Sequence, residues 1–355
     1  MFKLAELEGL EGAPPRYIAL EGNLQPLGFE DLERARSNLP LTMELDWRGA
    51  RVVDTDIPEF DLSQRPNIKA TLQSRFTAHA IALVRGGWLP SALATPDPTA
   101  IVLLDRNVIS EISSRFVGGT RKGRDPDFID LFATSPIRLS PMLAVLEGAE
   151  RRPPSGTHAR AQLEELTARL RAALPHAEIL AGAAQLLGAK GLMAEGQHWF
   201  ELGQTFLCQI APLMPGPVAR ARQPSVWNQI LAASDECGLS RKSLVLLAVL
   251  SALAAQNGAG PARSILKFKQ RYSASDAYNA LCDLRSLELF ANFLALWPDQ
   301  AVQLCTADRG LALFWTGLGA HDFRRGGCAA QFDLMFHPGL VPEWATDLWL
   351  EATST

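Results

Sequence analysis

The segment Ala100–Leu104, AIVLL, runs without a polar residue straight into Asp105. An unbroken apolar run of this length, bounded by Pro98 and an acid, predicts a strand buried on both faces of a sheet. Ile109, Ile112, Ser113 and Phe116 follow at helical spacing. Asp105 is therefore expected where a central strand ends and a helix begins. Strands of this kind belong to α/β proteins with a parallel central sheet flanked by helices, which is the fold class expected here. In open α/β sheets, ligands bind at the carboxyl ends of the strands. A carboxylate in that place is a candidate metal ligand or catalytic group.

Three other stretches supply partners for it. Gln303–Asp308, QLCTAD, repeats the pattern: a short apolar run, then Thr306 and Asp308, then a helix-like Gly310–Phe314. Ile137–Glu147 reads as a short strand, a Ser140-Pro141 helix start and an acid further along that helix, since Pro favours the first helical turn. Asp283 lies within an apolar helical stretch, Ala277–Trp297, that leads into the QLCTAD strand. If the acids share one site, the strands ending at Asp105 and Thr306 must be neighbours or nearly so.

The chain has 355 residues, enough for two domains or for one with a large insertion. Its organisation is read as an N-terminal extension or small domain of unknown role (1–98), the first part of the core (99–150), a helical insertion (151–260), and the second part of the core with a C-terminal cover (261–355). Within the first segment, Arg48-Gly49 reads as a turn between two strands. Ile68, Leu72, Phe76, Ala80 and Leu83 have helical spacing there. Asp54 and Asp56 read as a solvated turn. RRPPSG at 151–156 breaks the chain, and residues 157–257 are expected to be almost wholly helical. They cover the core, or act as a lid or partner-binding part.

The formal net charge is −4, so bulk charge does not announce a nucleic-acid partner, which would need a local basic patch. Two segments offer one. Arg121, Lys122 and Arg124 lie in the glycine-rich stretch after the Asp105 helix, and Arg263, Lys267 and Arg271 fall four apart, as on one helix face, ahead of Asp283. The five cysteines, Cys328 among them, are scattered, with no C-x-x-C pair, and the six histidines have no metal-binding spacing. Neither a disulfide framework nor a zinc site is expected. No secretory leader is visible, and the most apolar helical stretch, Ser243–Ala255, is shorter than the ~20 residues a membrane span needs. A cytoplasmic protein with no membrane partner is the resulting expectation.

Asp105-x-Asn107-Val108 after a strand, the stretch from Ser140 to Glu147, Asp283 on a helix and Thr306-x-Asp308 after the last strand together resemble the PIN-domain nucleases. The matching pieces cover under a third of the chain. The resemblance implies that Asp105, Glu147, Asp283 and Asp308 form an acidic quartet that binds Mg²⁺ or Mn²⁺ and cleaves RNA. Asn107 and Thr306 would orient the acids by hydrogen bonds. The partner would be nucleic acid, RNA before DNA, with a homo-oligomer or a regulatory protein partner left open. Where the family has a small hydroxyl residue after the first Asp, this chain has Arg106. Asp276 competes with Asp283 for the third place, and Glu111 is a further alternative. Two other functions stay open. One is a binding scaffold in which the Arg106 guanidinium replaces a metal charge. The other is an α/β metal-dependent phosphohydrolase, although Asp105-Arg106-Asn107 lacks the second Asp that many such enzymes carry two residues on.

Overall fold

The computed structural model describes residues 2–5, 16–35, 41–58, 60–94, 97–148, 154–255, 259–326 and 329–354. In chain order the elements begin with β1 (Phe2–Ala5), β2 (Tyr17–Leu24), α1 (Phe29–Arg34), β3 (Leu41–Thr55), β4 (Ile68–Ser74), β5 (Ile81–Val84) and β6 (Gly87–Pro90). Next come β7 (Ile101–Leu104), α2 (Arg106–Arg115), β8 (Phe116–Val117), β9 (Thr120–Arg121), β10 (Arg138–Ser140) and α3 (Met142–Glu147). The helical part comprises α4 (Gly156–Ala173), β11 (Glu178–Ile179), α5 (Ala183–Ile210), α6 (Gln223–Glu236), α7 (Leu244–Ala254) and α8 (Pro261–Leu266). The chain closes with α9 (Ala274–Leu296), β12 (Val302–Thr306), α10 (Arg309–Leu318), β13 (His321–Gly326), β14 (Ala329–Asp333) and α11 (Glu343–Ser354).

The fold is mixed α/β. A six-stranded sheet runs in the order β11-β10-β7-β12-β5-β6. β11, β10, β7 and β12 are parallel, while β5 and β6 are antiparallel additions at one side. β7 and β12 are direct neighbours, with Leu104 opposite Cys305, so Asp105 and Thr306 leave the sheet side by side. Alternation along these strands feeds two cores. Leu103, Leu304, Ile81 and Leu83 face one, together with α7 to α10. Val102, Leu104, Leu139 and Cys305 face the other, together with α2 and α4. The sheet draws strands both from the first hundred residues and from the mainly helical stretch after Glu147.

A second, four-stranded antiparallel sheet, β1-β2-β3-β4, occupies the N-terminal part. It corrects two expectations. The Arg48-Gly49 pair is not a turn but lies inside β3, where Gly49 takes φ +57 beside a register shift between β2 and β3. Residues 68–83 are not a helix. Ile68, Ala70 and Leu72 are half-buried while Lys69, Thr71 and Gln73 are exposed, a period of two that outweighs the coincident helical spacing. Residues 157–255 are mainly helical, with loops between the helices and with β11, which joins the edge of the main sheet through β10. No helix among the described residues is long and apolar enough to cross a membrane. Cys208, Cys237, Cys282 and Cys305 are free thiols, and Cys328 and part of the 151–156 break lie outside the described residues.

Candidate active site at the carboxyl edge of the sheet

Two acids occupy equivalent places on adjacent parallel strands. Asp105 follows β7 directly and is the N-cap of α2, with an extended backbone at φ −67 and ψ 152. Asp308 is the N-cap of α10, and its side chain accepts a hydrogen bond from Leu311 N at 2.9 Å. Short acids are favoured at N-caps because they satisfy orphan amides and meet the positive end of the helix. Buried Thr306 joins the two. Its hydroxyl donates to Asp105 Oδ2 at 2.8 Å and accepts from Asp308 N at 3.0 Å. One side chain thus fixes the rotamer of Asp105 and the backbone of Asp308.

Asp283 approaches from α9. That helix begins at a Ser273 capping box whose N3 residue is Asp276. Asp276 also accepts from Lys269 Nζ at 2.7 Å. Those bonds, Lys269 first and Ser273 next, hold the Asp276 carboxyl down to about 2. It is a cap, and Asp283 is the residue of α9 that meets the other acids. Burial, then the charges of Asp308 and Asp105, push the Asp283 carboxyl well above its ordinary range, with Lys267 opposing. Burial also raises Asp105. The hydrogen bond from Thr306 and the nearby amides of Arg106 and Asn107 oppose that rise, and the Asp308 charge adds to it. Each of these acids is half-buried, so the site is open to solvent on one side.

Glu147, the last residue of α3, is held differently. Arg106 Nε donates to its Oε2 at 3.2 Å, and the same guanidinium donates to the carbonyls of Ala144 and, at 2.7 Å, Gly148. Tyr278 Oη on α9 donates to the Glu147 carbonyl at 2.7 Å. Burial raises the Glu147 carboxyl, Arg106 opposes, and the Asp105 charge raises it further. The residue that departs from the resemblance, Arg106, is therefore the clamp on the second acid. Glu111 is engaged elsewhere, in ion pairs with Arg115 at 3.0 Å and Arg124 at 2.8 Å. Asn107 is exposed at the start of α2.

The expected basic stripe is corrected. α8 ends at Leu266, and Lys267 takes φ +51, so Arg263, Lys267 and Arg271 do not share a helix face. The chain leaves the helix there to bury Phe268. Arg263 donates to the Met214 carbonyl at 3.2 Å, and burial lowers its pKa. Lys267 is exposed and near enough to Asp283 to stabilise its charge, while Arg271 is exposed beyond it. α8 is held against α10 at Gly310, where a Cβ would come 1.8 Å from Ser264 Oγ. Arg121 and Arg124 sit on or after a short hairpin and pair with Asp130 at 2.9 Å and with Glu111; Lys122 is exposed.

The group of three ligating side chains with atoms within 4.8 Å of one another, among the described residues, is His321, Asp322 and Asp333 on the exposed β13–β14 hairpin. Asp333 is already paired with Arg324 at 2.9 Å. The acids of the sheet edge are more buried, and the Thr306 hydroxyl and the Leu311 amide fix Asp105 and Asp308. Tyr278 is a part of this site that nothing local in the sequence marks. Lys267 is expected from the sequence on a helix face as a nucleic-acid contact, and Arg106 as a substitute for a metal charge; the structure puts Lys267 at a left-handed break beside Asp283 and makes Arg106 the clamp on Glu147. No protein-family model, curated protein or solved structure matches the chain.

Proposed function

We propose that the chain is a PIN-like, metal-dependent nuclease that hydrolyses phosphodiester bonds, with RNA as the favoured substrate and Asp105, Asp283 and Asp308 as its central acids. The observation that carries this reading is the placement of these three groups. Asp105 and Asp308 end adjacent parallel strands and are tied together by Thr306, and half-buried Asp283 of α9 lies near enough that their charges push its carboxyl up. Like charges gathered away from bulk water are unfavourable unless a cation offsets them. An all-oxygen donor set suits Mg²⁺ or Mn²⁺, which usually keeps several waters and takes only a few carboxylates.

In this reading Asp105 and Asp308 are the primary ligands, with Asp283 completing the set. Thr306 keeps Asp105 in one rotamer. Glu147 borders the set, and the Arg106 guanidinium that clamps it limits the negative charge on that side. Lys267 lies beside Asp283 at the exposed margin, where a phosphate of the substrate would approach. A bound divalent ion would supply a Lewis acid for the phosphoryl group and for the attacking water. The protein contributes the fixed donors, the half-buried setting and the local cation.

The test is cleavage of labelled single-stranded RNA and DNA by the purified chain in EDTA, Mg²⁺ and Mn²⁺, beside Asp105→Asn. Ion-dependent cleavage that the substitution removes supports the reading. Cleavage that survives both EDTA and Asp105→Asn defeats it. A second reading, a binding scaffold on the same fold, is favoured by one observation: the Arg106 guanidinium already neutralises Glu147. Nucleic-acid binding with no cleavage in either ion would select it.

A further inference from the structure

A cleft of about 570 Å³ opens between the middle of α5 and the start of α9. Lys190, Gln197, Phe200, Gln204 and Tyr278 line it, with Gly156 at the start of α4. Met193 and Phe200 also line a separate small cavity whose other wall includes Glu147, Cys282 and Arg285. Tyr278 ties the cleft to the clamped acid of the candidate site: it lines the cleft and donates to the Glu147 carbonyl. Its aromatic wall is built. Phe200 and Tyr278 stack at 5.1 Å between centroids, and Trp199 packs edge-on against Phe200 at 5.1 Å. Arg285 lies over the Trp199 ring at 5.6 Å and pairs with Glu288 at 3.0 Å, which holds the far side of the cluster.

We propose that this cleft seats one base of the single-stranded substrate, next to the cleavage site. The inference rests on the nuclease reading and adds how the substrate is held. A space of this size suits a flat ligand of one or two rings. Phe and Tyr faces stack on any base, which gives affinity without strict sequence choice. The polar groups match a base edge. Gln197 Nε2 donates to Glu201 Oε1 at 3.2 Å, and Gln204 Nε2 donates to the Ala274 carbonyl at 2.7 Å. Each amide thus has its nitrogen engaged, and its carbonyl oxygen is left to accept from the amino or ring N–H of a base. Charge argues the same way. The carboxylate of Glu201 lines the cleft alongside Lys190, so the aromatic end favours a neutral ring over a phosphate. The Lys190 end suits the phosphate attached to it.

The experiment titrates the intact chain with AMP, CMP, GMP and UMP in EDTA, followed by calorimetry, with ribose 5-phosphate as the ligand without a base. Nucleotides are expected to bind at least about fivefold more tightly than the sugar phosphate, the lower end of what base–aromatic stacking supplies. Phe200→Leu, which keeps apolar volume and removes the ring, is expected to abolish that advantage. Gln197→Ala, at an exposed position, is expected to weaken binding by a smaller factor and serves as a control free of core disruption. In Mg²⁺ or Mn²⁺, Phe200→Leu should raise KM for RNA and leave kcat near the parent value. Equal binding of nucleotides and ribose 5-phosphate overturns the inference, as does a Phe200→Leu protein with unchanged affinity and KM. Metal-dependent cleavage by a chain that binds nucleotides no better than ribose 5-phosphate defeats the base site alone. Base binding that follows Phe200 without any cleavage defeats the nuclease reading alone.

Discussion

Helix α2 has carboxylates at both ends, and its two ends handle charge in opposite ways. At its carboxyl end Arg115 is buried, with its side chain 6% exposed, and binds Glu111, Asp130 and the Asp125 carbonyl. Arg121 and Arg124 add further pairs to the same acids. Burial works against the charged form of Glu111 and Asp130, but the hydrogen bonds from these arginines outweigh it and hold both carboxyls below their usual range. At the amino end Asp105 meets Asp308 and Asp283, burial prevails, and the carboxyls of Asp105 and Asp283 rise. The first arrangement is complete within the chain. In the second, the carboxyls are offset by holding their protons or, in the proposed reading, by a bound cation. Counting acids would not separate the two ends; asking which acids already hold a cation does.

The largest expected contrast is in activity. Asp105→Asn keeps the shape of the side chain and removes one ligand charge. It is expected to lower ion-dependent cleavage by about 10⁴-fold, equivalent to ~5.5 kcal/mol in the barrier. The metal-free fold should be as stable as the parent or slightly more so, because a repulsion is relieved. Steady-state cleavage rates and urea midpoints in EDTA measure the two effects. A variant that loses its fold together with its activity would place Asp105 with the structural charges at the other end of α2.

Arg115→Met is the converse experiment. It leaves Asp130 and Glu111 largely buried without their main cation, which typically costs about 3–5 kcal/mol. The expected outcome is a marked fall in the urea midpoint, with cleavage by the remaining folded protein close to normal. An unchanged midpoint would mean that the network is a surface feature of small energy.

The two ends should also differ in pH dependence. For Asp105 and Asp283 the folded pKa lies above the unfolded one. Their contribution is most favourable below the unfolded value and is lost as pH rises through the folded value. For Glu111 and Asp130 the folded pKa is depressed, so their stabilisation is present above the unfolded value and lost as pH falls through the folded one. In EDTA, stability should therefore decline as pH rises above the ordinary carboxylate range, by up to ~1.4 kcal/mol per pH unit for each group still releasing its proton. Asp283→Asn should remove much of that decline and leave the acid-side loss in place. Denaturant midpoints across the pH series, for parent and variant, decide it. A parent that keeps gaining stability through neutrality in EDTA would contradict the strained cluster.

Much of this frame was legible in the sequence. The AIVLL run before Asp105 and the QLCTAD run before α10 predicted two buried strands with acids at their ends, and they are adjacent and parallel. Strong periodicity with an abrupt polar stop is a local signal, and β7 and β12 obey it. Asp283 was singled out on an apolar helix, but its distinction from Asp276 is tertiary: Asp276 faces its own helix start, while Asp283 faces two other elements. The Arg106–Glu147 clamp joins α2 to α3 across the sheet, and no spacing reports it. The error at 68–83 has a different origin. Residues four apart share a face on both a helix and a strand, so Ile68, Leu72 and Phe76 alone could not decide. The exposed residues between them carried the period of two. The basic stripe failed because Lys267 adopts a left-handed backbone that sequence spacing does not reveal.

That failure sets the smallest and most discriminating test. Of the six basic residues first considered for nucleic acid, Arg121 and Arg124 are committed to Asp130 and Glu111, and Arg263 is turned to the Met214 carbonyl. Lys267 alone among the six acts on an acid of the candidate site. A lysine that contacts one phosphate contributes one released counterion, so its loss lowers the slope of log affinity against log salt by about 0.7 for single strands. Lys267→Ala is expected to weaken RNA binding modestly at low salt and to reduce that slope by this amount, with the cleavage step at saturating RNA little changed. Arg124→Ala removes an equal charge from the paired end of α2 and should leave the slope near the parent value. Binding curves for both variants over a salt series compare the two ends of the helix at constant net charge. A larger slope change for Arg124→Ala than for Lys267→Ala would move the substrate path to the hairpin side of the molecule and away from Asp283.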